Sequence, residues 1–251
     1  MAKKQTKGHP LWRFDRQQLR NAPYPALIGV DEAGRGCLAG PVVAAVAHIP
    51  ADAYDHVGFK RASTAINDSK QLKAEQREAQ FTLIEQWTAD KLVAVAPGVA
   101  SVEEIEVHNI LGATRLAMQR ALDALELTLL RADSVGSELL KCDNKVADYP
   151  RIMVDGKPLK PFPWAHEAVV GGDGKSLAIA MASIVAKVTR DRVMLQLHEE
   201  DPRFGYDQHK GYGTPRHLEA LRAHGPTPHH RKVFLRKLDL PANVCEQREL
   251  F

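Results

Sequence analysis

The sequence predicts an α/β fold: a mixed sheet flanked by helices, with a small helical unit at its C-terminal end. Three observations carry that prediction. Apolar runs of strand length open the main body and are joined by a short glycine turn. Further strand-length runs then alternate with helical patterns, the order expected of a mixed sheet covered by helices. Beyond residue 200 the composition turns to His, Gly, Pro and Arg, with one short helical pattern near His217–His224.

In chain order, residues 1–25 read as a basic N-terminal extension that lacks the apolar stretch of a secretory signal. Residues 26–200 form the predicted main domain. "ALIGVD" is its first strand and "GPVVAAVAHIP" its second. "LKAEQREAQFTLIEQW" has helical periodicity and good helix formers. "KLVAVAP" reads as a short strand stopped by Pro97. From Val102 to about Leu127 the pattern is a long amphipathic helix, with Ser101 and Glu104 placed as a capping box. Residues 128–150 read as an irregular surface insertion. "RIMV" is a strand ending at Asp155, and "EAVV" is another running into "GGDG". In the helix that follows, Leu177, Met181, Ile184, Val188 and Leu195 share one stripe. Residues 201–240 make the small helical C-terminal domain, and 241–251 a tail.

Composition excludes several classes. A chain of 251 residues buries a sizeable core, and 44% hydrophobic with 26% charged residues is ordinary for a soluble protein. No apolar run approaches bilayer length, so no membrane partner is expected. Three scattered cysteines, Cys37, Cys142 and Cys245, make neither a disulfide framework nor a zinc cluster, and a reducing cytoplasm is the expected compartment. The net charge is only +3, but basic residues gather at the N-terminus, in "HKGYGTPRH" and in "HHRKVFLRK". Such patches either follow a phosphate backbone or are simply solvated surface, and the charge count leaves both open.

The chemistry sits in the acidic residues. Asp31 ends one strand, Asp155 ends another, and Asp173 precedes a helix, all at places where α/β sheets build sites. Glu32 adjoins Asp31, but alternation along a strand lets the two share a site only if the backbone turns, which Ala33-Gly34 permits. Four carboxylates crowd together only with compensation, and oxygen-only ligands suit Mg²⁺ or Mn²⁺, used in pairs for phosphoryl transfer. Asp-Gly is also a common turn dipeptide, so spacing alone leaves a metal site and a set of turn residues equally open. "GGDGKS" fails as a phosphate loop, because Val169 stands where that motif needs glycine.

In order, "GVDEAGRG", "AGPVVAAVA", "NDSKQL", "IMVDG", "AVVGGDGKSLAIAMASIVAKVTRDR" and "FGYDQHKGYGTPRHLEALRAHGPTPHHR" resemble the blocks of bacterial ribonuclease HII, the type 2 ribonuclease H. The resemblance spans roughly Leu27 to Phe234, apart from the insertion. It implies a ribonuclease H-like fold and endonucleolytic cutting of RNA in RNA–DNA hybrids, including single ribonucleotides in duplex DNA. It implies that Asp31, Glu32, Asp155 and Asp173 are the catalytic, ion-holding carboxylates, with Mn²⁺ or Mg²⁺ as cofactor. Gly34-Arg35-Gly36 then matches the motif that reads the ribose 2′-hydroxyl, and Tyr212 the tyrosine that stacks on the next deoxyribose. Two departures stand out: Cys37 replaces a common proline, which makes it a candidate for oxidation, and Met181 sits in a run usually richer in alanine. A rival reading is a hybrid-binding protein with silent carboxylates. The last five residues, "QRELF", resemble the bacterial sliding-clamp-binding pentapeptide, with Gln247, Leu250 and Phe251 matching and Arg248 departing. The alternative for this tail is that Leu250 and Phe251 pack into a groove of the body.

Overall fold

The computed structural model describes residues 9–21, 24–67, 69, 72–132 and 150–236. The tail residues Gln247, Leu250 and Phe251, most of the 128–150 insertion and part of "NDSKQL" lie outside the described residues.

Among the described residues five strands form one mixed sheet in the order β3-β2-β1-β4-β5. They are β1 (Ala26–Ala33), β2 (Val42–Pro50), β3 (Ala94–Ala100), β4 (Arg151–Asp155) and β5 (Glu167–Val169). β1 pairs antiparallel with β2 and parallel with β4; β2–β3 is antiparallel and β4–β5 parallel. Among the described residues the α-helices are, in chain order, α1 (Pro10–Asn21), α2 (Val57–Ala62), α3 (Ala74–Ala89), α4 (Val102–Ala132), α5 (Leu177–Glu200), α6 (Tyr206–His209), α7 (Pro215–His224) and α8 (Lys232–Leu235).

The period of two along the strands sorts the core into two faces. Leu27, Ala45, Ala47, Ile49 and Met153 pack with α5, α3 and α1, whereas Ile28, Val30, Ala44, Val46 and Val154 pack under α4. Both helices on the sheet need glycine beneath them. A Cβ on Gly29 would stand 2.1 Å from the Ala178 backbone of α5, and one on Gly98 would stand 2.1 Å from the Ala117 carbonyl of α4. Without these side chains the helices lie directly on strand backbone, so the position of α5 over β1 is set closely.

Most of the predicted elements are present, with three differences of physical interest. Pro97 does not stop its strand: β3 runs on to Ala100, with Pro97 opposite Ala45. β3 is the edge of the sheet, where a missing N–H on the outer side costs no ladder bond. The long helix begins with the expected box, Ser101 N–H donating to Glu104 at 2.9 Å and Glu104 N–H to the Ser101 hydroxyl, but it runs past Leu127 to Ala132 and is kinked at Asn109, φ 56°. Leu195 leaves its stripe's fate, being 41% exposed where Leu177, Met181, Ile184 and Val188 are buried, because α5 has by then run beyond the sheet.

The N-terminal stretch also contributes to the body. α1 packs on the core through Leu11 and buries Asp15, whose carboxylate accepts from Tyr54 Oη at 2.7 Å and from Ala178 N–H at 3.0 Å. Burial pushes the Asp15 carboxyl up to about 6, against the hydrogen bonds that favour its charge. The helical unit after residue 200 has a small core of its own, built on Phe204, Tyr206, Leu221 and Leu235 with Leu38, Ala39 and Met194.

Candidate active site

Strand parity decides which carboxylates meet. Asp31 follows Leu27 and Gly29 on the α5 side of β1, and Asp155 follows Met153 on the same side of β4. Parallel pairing of Val30 with Val154 sets the two strand ends side by side. Asp173 arrives from the turn after β5, where Gly171 takes a left-handed conformation at φ 63°. That turn is bound back to the sheet, because Gly172 N–H donates to Asp155 Oδ1 at 2.6 Å. One carboxylate oxygen from each of Asp31, Asp155 and Asp173 lies within 4.8 Å of the others.

Asp31 and Asp173 are buried and Asp155 is partly so. Burial first, then repulsion from Glu32 and Asp155, pushes the Asp31 carboxyl well above the usual carboxylate range. Two hydrogen bonds oppose this: Glu32 N–H donates to Asp31 at 2.7 Å, and the Ser183 hydroxyl of α5 also reaches it. Ser183 is held in turn by Ser69, hydroxyl to hydroxyl at 2.8 Å. The donor set is all oxygen, buried and short of positive charge at Asp31, which fits a hard divalent cation.

Glu32 adjoins this trio: β1 stays paired to β2 through Ala33, and after burial the charge of Glu32 is the largest influence raising Asp31. Its carboxylate accepts from Arg35 at 2.8 Å. Arg35 itself is exposed, as is Gly36.

The two glycines around Arg35 differ in what demands them. Gly34 has φ +94°, and a Cβ there would stand 2.0 Å from Arg190 Nε, so the protein's own packing requires glycine. A Cβ on Gly36 would meet nothing within 4 Å. Folding does not explain that glycine. Tyr212 is 45% exposed, one segment away, and Gly211 carbonyl accepts the Leu38 amide at 2.8 Å, joining its loop to the turn. Lys187, one turn along α5 from Ser183, sets its ammonium 5.8 Å from the Tyr212 ring centroid.

Cys37 is wholly buried, and its thiol neighbours the Tyr212 hydroxyl. Its burial overturns the expectation that position alone makes it oxidisable. Met181 is also buried, filling the core beneath the sheet.

The basic patches resolve less simply than expected. In "HKGYGTPRH" and "HHRKVFLRK", His209, His217, His230 and Arg231 are buried, and the three histidine rings stack or hydrogen-bond together. Arg190 of α5 is buried as well. The sequence carries no mark of this, since an arginine in a run of alternating charged and apolar residues reads as surface.

The model of the family described as Ribonuclease HII matches residues 28–237. The chain belongs to the ribonuclease HII family. A Ribonuclease HII from Burkholderia mallei (strain SAVP1) is 44% identical over 215 residues, 85% of either chain. One from Thermosynechococcus vestitus (strain NIES-2133 / IAM M-273 / BP-1) is 41% identical over 225 residues, 88% of this chain and 90% of its own. Among solved structures, ribonuclease H2 from Pyrococcus horikoshii OT3 superposes with a TM-score of 0.54 at 27% identity, covering 84% of this chain and 96% of that one. The ribonuclease H-like fold expected from the motifs is thereby shown, and the chain is a metal-dependent ribonuclease H hydrolase. The ribonuclease HII match begins two residues into β1, so α1 and its buried Asp15 lie before it. No helix among the described residues is long and apolar enough to cross a membrane.

Proposed function

We propose that this ribonuclease HII cuts the RNA strand of RNA–DNA hybrids and nicks duplex DNA on the 5′ side of a single embedded ribonucleotide, leaving 3′-hydroxyl and 5′-phosphate ends. The observation that carries this reading is the junction at the end of β1. A trio of aspartates, two of them buried, includes Asp31 just before a turn whose Gly36 leaves open surface that folding does not require.

Asp31, Asp155 and Asp173 would hold the divalent cations, Mn²⁺ or Mg²⁺, two during turnover, with Glu32 beside them. Bound there, such ions supply a polarised water for in-line attack and neutralise charge on the departing 3′-oxygen. The chain's own residues do the rest. Gly172 N–H and the Ser183 hydroxyl orient the carboxylates. The turn at Gly34-Arg35-Gly36 brings backbone close to a sugar, and the 2′-hydroxyl is the group that separates RNA from DNA. The exposed ring of Tyr212, flanked by Lys187, offers a stacking platform for the following deoxyribose.

The test is a cleavage assay on two end-labelled substrates, a continuous hybrid and a DNA duplex with one ribonucleotide. The expected result is cutting of both, with a single nick 5′ of the lone ribonucleotide that leaves 3′-hydroxyl and 5′-phosphate ends. Binding without cutting would instead support a silent hybrid-binding protein, and cutting of the hybrid alone would remove the single-ribonucleotide activity.

A further inference from the structure

Two arginines are buried completely behind the Gly34-Arg35-Gly36 turn, and neither is used in the mechanism above. Their guanidinium groups make six hydrogen bonds, and every acceptor is a backbone carbonyl. Arg190 of α5 donates to Ala39 O at 3.1 Å, Pro41 O at 3.0 Å and Lys210 O at 2.9 Å. Arg231 donates to Arg35 O at 3.1 Å, Gly40 O at 2.9 Å and Pro41 O at 3.0 Å. Pro41 O accepts from both, so the two side chains clamp one loop from two sides.

Two buried cations this close are costly, since each loses hydration and repels the other. Burial and Arg190 together lower Arg231 to about 10, which still leaves it charged at neutral pH. A structure that needed only to fill this volume would place apolar side chains here at less cost. What the arginines provide instead is rigid, multivalent donation to a loop that has no regular secondary structure of its own.

The bonds have a direction that matters. Arg231 draws the Arg35 carbonyl inward. In a trans peptide the N–H points opposite to the C=O, so the Gly36 N–H is turned outward. Among the described residues no protein acceptor pairs with that N–H, and the space beside Gly36 is open. Arg190 ties the same loop to Lys210 O, two residues before Tyr212. Backbone bonds reinforce the arrangement: Leu38 N–H to Gly211 O, Arg231 N–H to Leu38 O and Gly40 N–H to His229 O, each 2.8 Å.

We infer that Arg190 and Arg231 are positioning residues for ribonucleotide recognition: Arg231 presents the Gly36 N–H to the ribose 2′-oxygen, and Arg190 fixes the spacing between that turn and Tyr212. This rests on the reading of the turn as the 2′-hydroxyl site and deepens it. A lysine in either place carries the charge but cannot donate to three carbonyls in one plane. The loop then loses its fixed peptide orientation, and a displacement of about 1 Å at such a site costs on the order of a hundredfold in rate.

The experiment compares the full chain with Arg231→Lys and with Arg231→Gln, which buries no charge. Steady-state cleavage is measured on the lone-ribonucleotide duplex and on a continuous hybrid, beside circular dichroism melting. On the lone-ribonucleotide duplex, where one 2′-hydroxyl must be found, kcat/KM is expected to fall ten- to a hundredfold in a folded variant. The hybrid, which offers a 2′-hydroxyl at every register, should lose less than a third of that factor. Arg190→Lys should add a loss specific to the junction, resembling Tyr212→Ala. Equal losses on the two substrates, or none, would overturn the inference, as would failure of both Arg231 variants to fold, which assigns the residue to folding alone. A wild-type chain that cuts neither substrate would instead sink the functional reading on which the inference rests.

Discussion

Two like-charged clusters flank the turn that follows β1, and they are satisfied in opposite ways. The arginine pair finds its partners inside the protein, six hydrogen bonds to five backbone carbonyls of a single loop and its neighbour. In the aspartate trio, by contrast, like charges meet: Asp31's carboxyl is held well above its usual range by burial and by neighbouring carboxylates. A cluster complete in itself builds structure. One whose members repel one another is set for a cation that relieves the repulsion, which is why the carboxylates and not the arginines are assigned the chemistry.

That contrast can be broken most sharply at the carboxylates. Asp31→Asn or Asp155→Asn is expected to cut turnover by roughly a thousandfold or more, in line with losses from removing a catalytic group. The metal-free melting temperature of Asp31→Asn should hold or rise, because the substitution removes a charge that burial already disfavours. Near-normal turnover in either variant with metal present would remove the assignment.

The next effect distinguishes the two glycines. Gly34→Ala is expected to lower stability by about 2 kcal/mol or more, since the position combines positive φ with a 2.0 Å clash on Arg190. Gly36→Ala should leave melting within a degree or two and yet weaken cleavage about tenfold, by occupying the space beside the open N–H. Full activity in Gly36→Ala would mean that surface is not where the sugar sits.

Tyr212→Ala should cost the lone-ribonucleotide substrate about tenfold more than the hybrid, the scale of one lost stacking contact. Equal losses would show that Tyr212 does not sense the junction.

The smallest effect is on stability against pH. His217 and His230 are buried, and burial first lowers them to about 4 and about 3. With folded values below the ordinary 6.5, the unfolded chain binds more protons between roughly pH 6.5 and 3–4. Stability should therefore be full above pH 6.5 and fall by a few kcal/mol as pH drops through that window. Denaturant melts at pH 7.5 and pH 5 check this; equal midpoints would show that the histidines titrate normally in the fold.

The strands and long helices were legible because hydrophobic period and capping residues are local signals, as Ser101 and Glu104 illustrate. The convergence of Asp31, Asp155 and Asp173 was legible in outline, as three acids each at the end of a strand or turn. What sequence did not show depends on neighbours far along the chain. Pro97 looked like a strand breaker, and only its place on an edge makes it harmless. Arg231 looked like part of a basic surface, although carbonyls 190 to 196 residues away bury it. Asp15 lies in the basic N-terminal stretch with no local mark of its burial, and its partner Ala178 is 163 residues distant.

The central claim is that the aspartate trio works only with cations from outside. It is tested most directly by stripping the enzyme with a chelator, adding back Mn²⁺ or Mg²⁺ in steps, and following cleavage of the lone-ribonucleotide duplex. The account predicts no cutting in the stripped enzyme, recovery with added metal to a single nick 5′ of the ribonucleotide, and no recovery in Asp155→Asn at any concentration that restores the wild type. Cleavage that persists in the stripped enzyme, or recovers equally in Asp155→Asn, would contradict it.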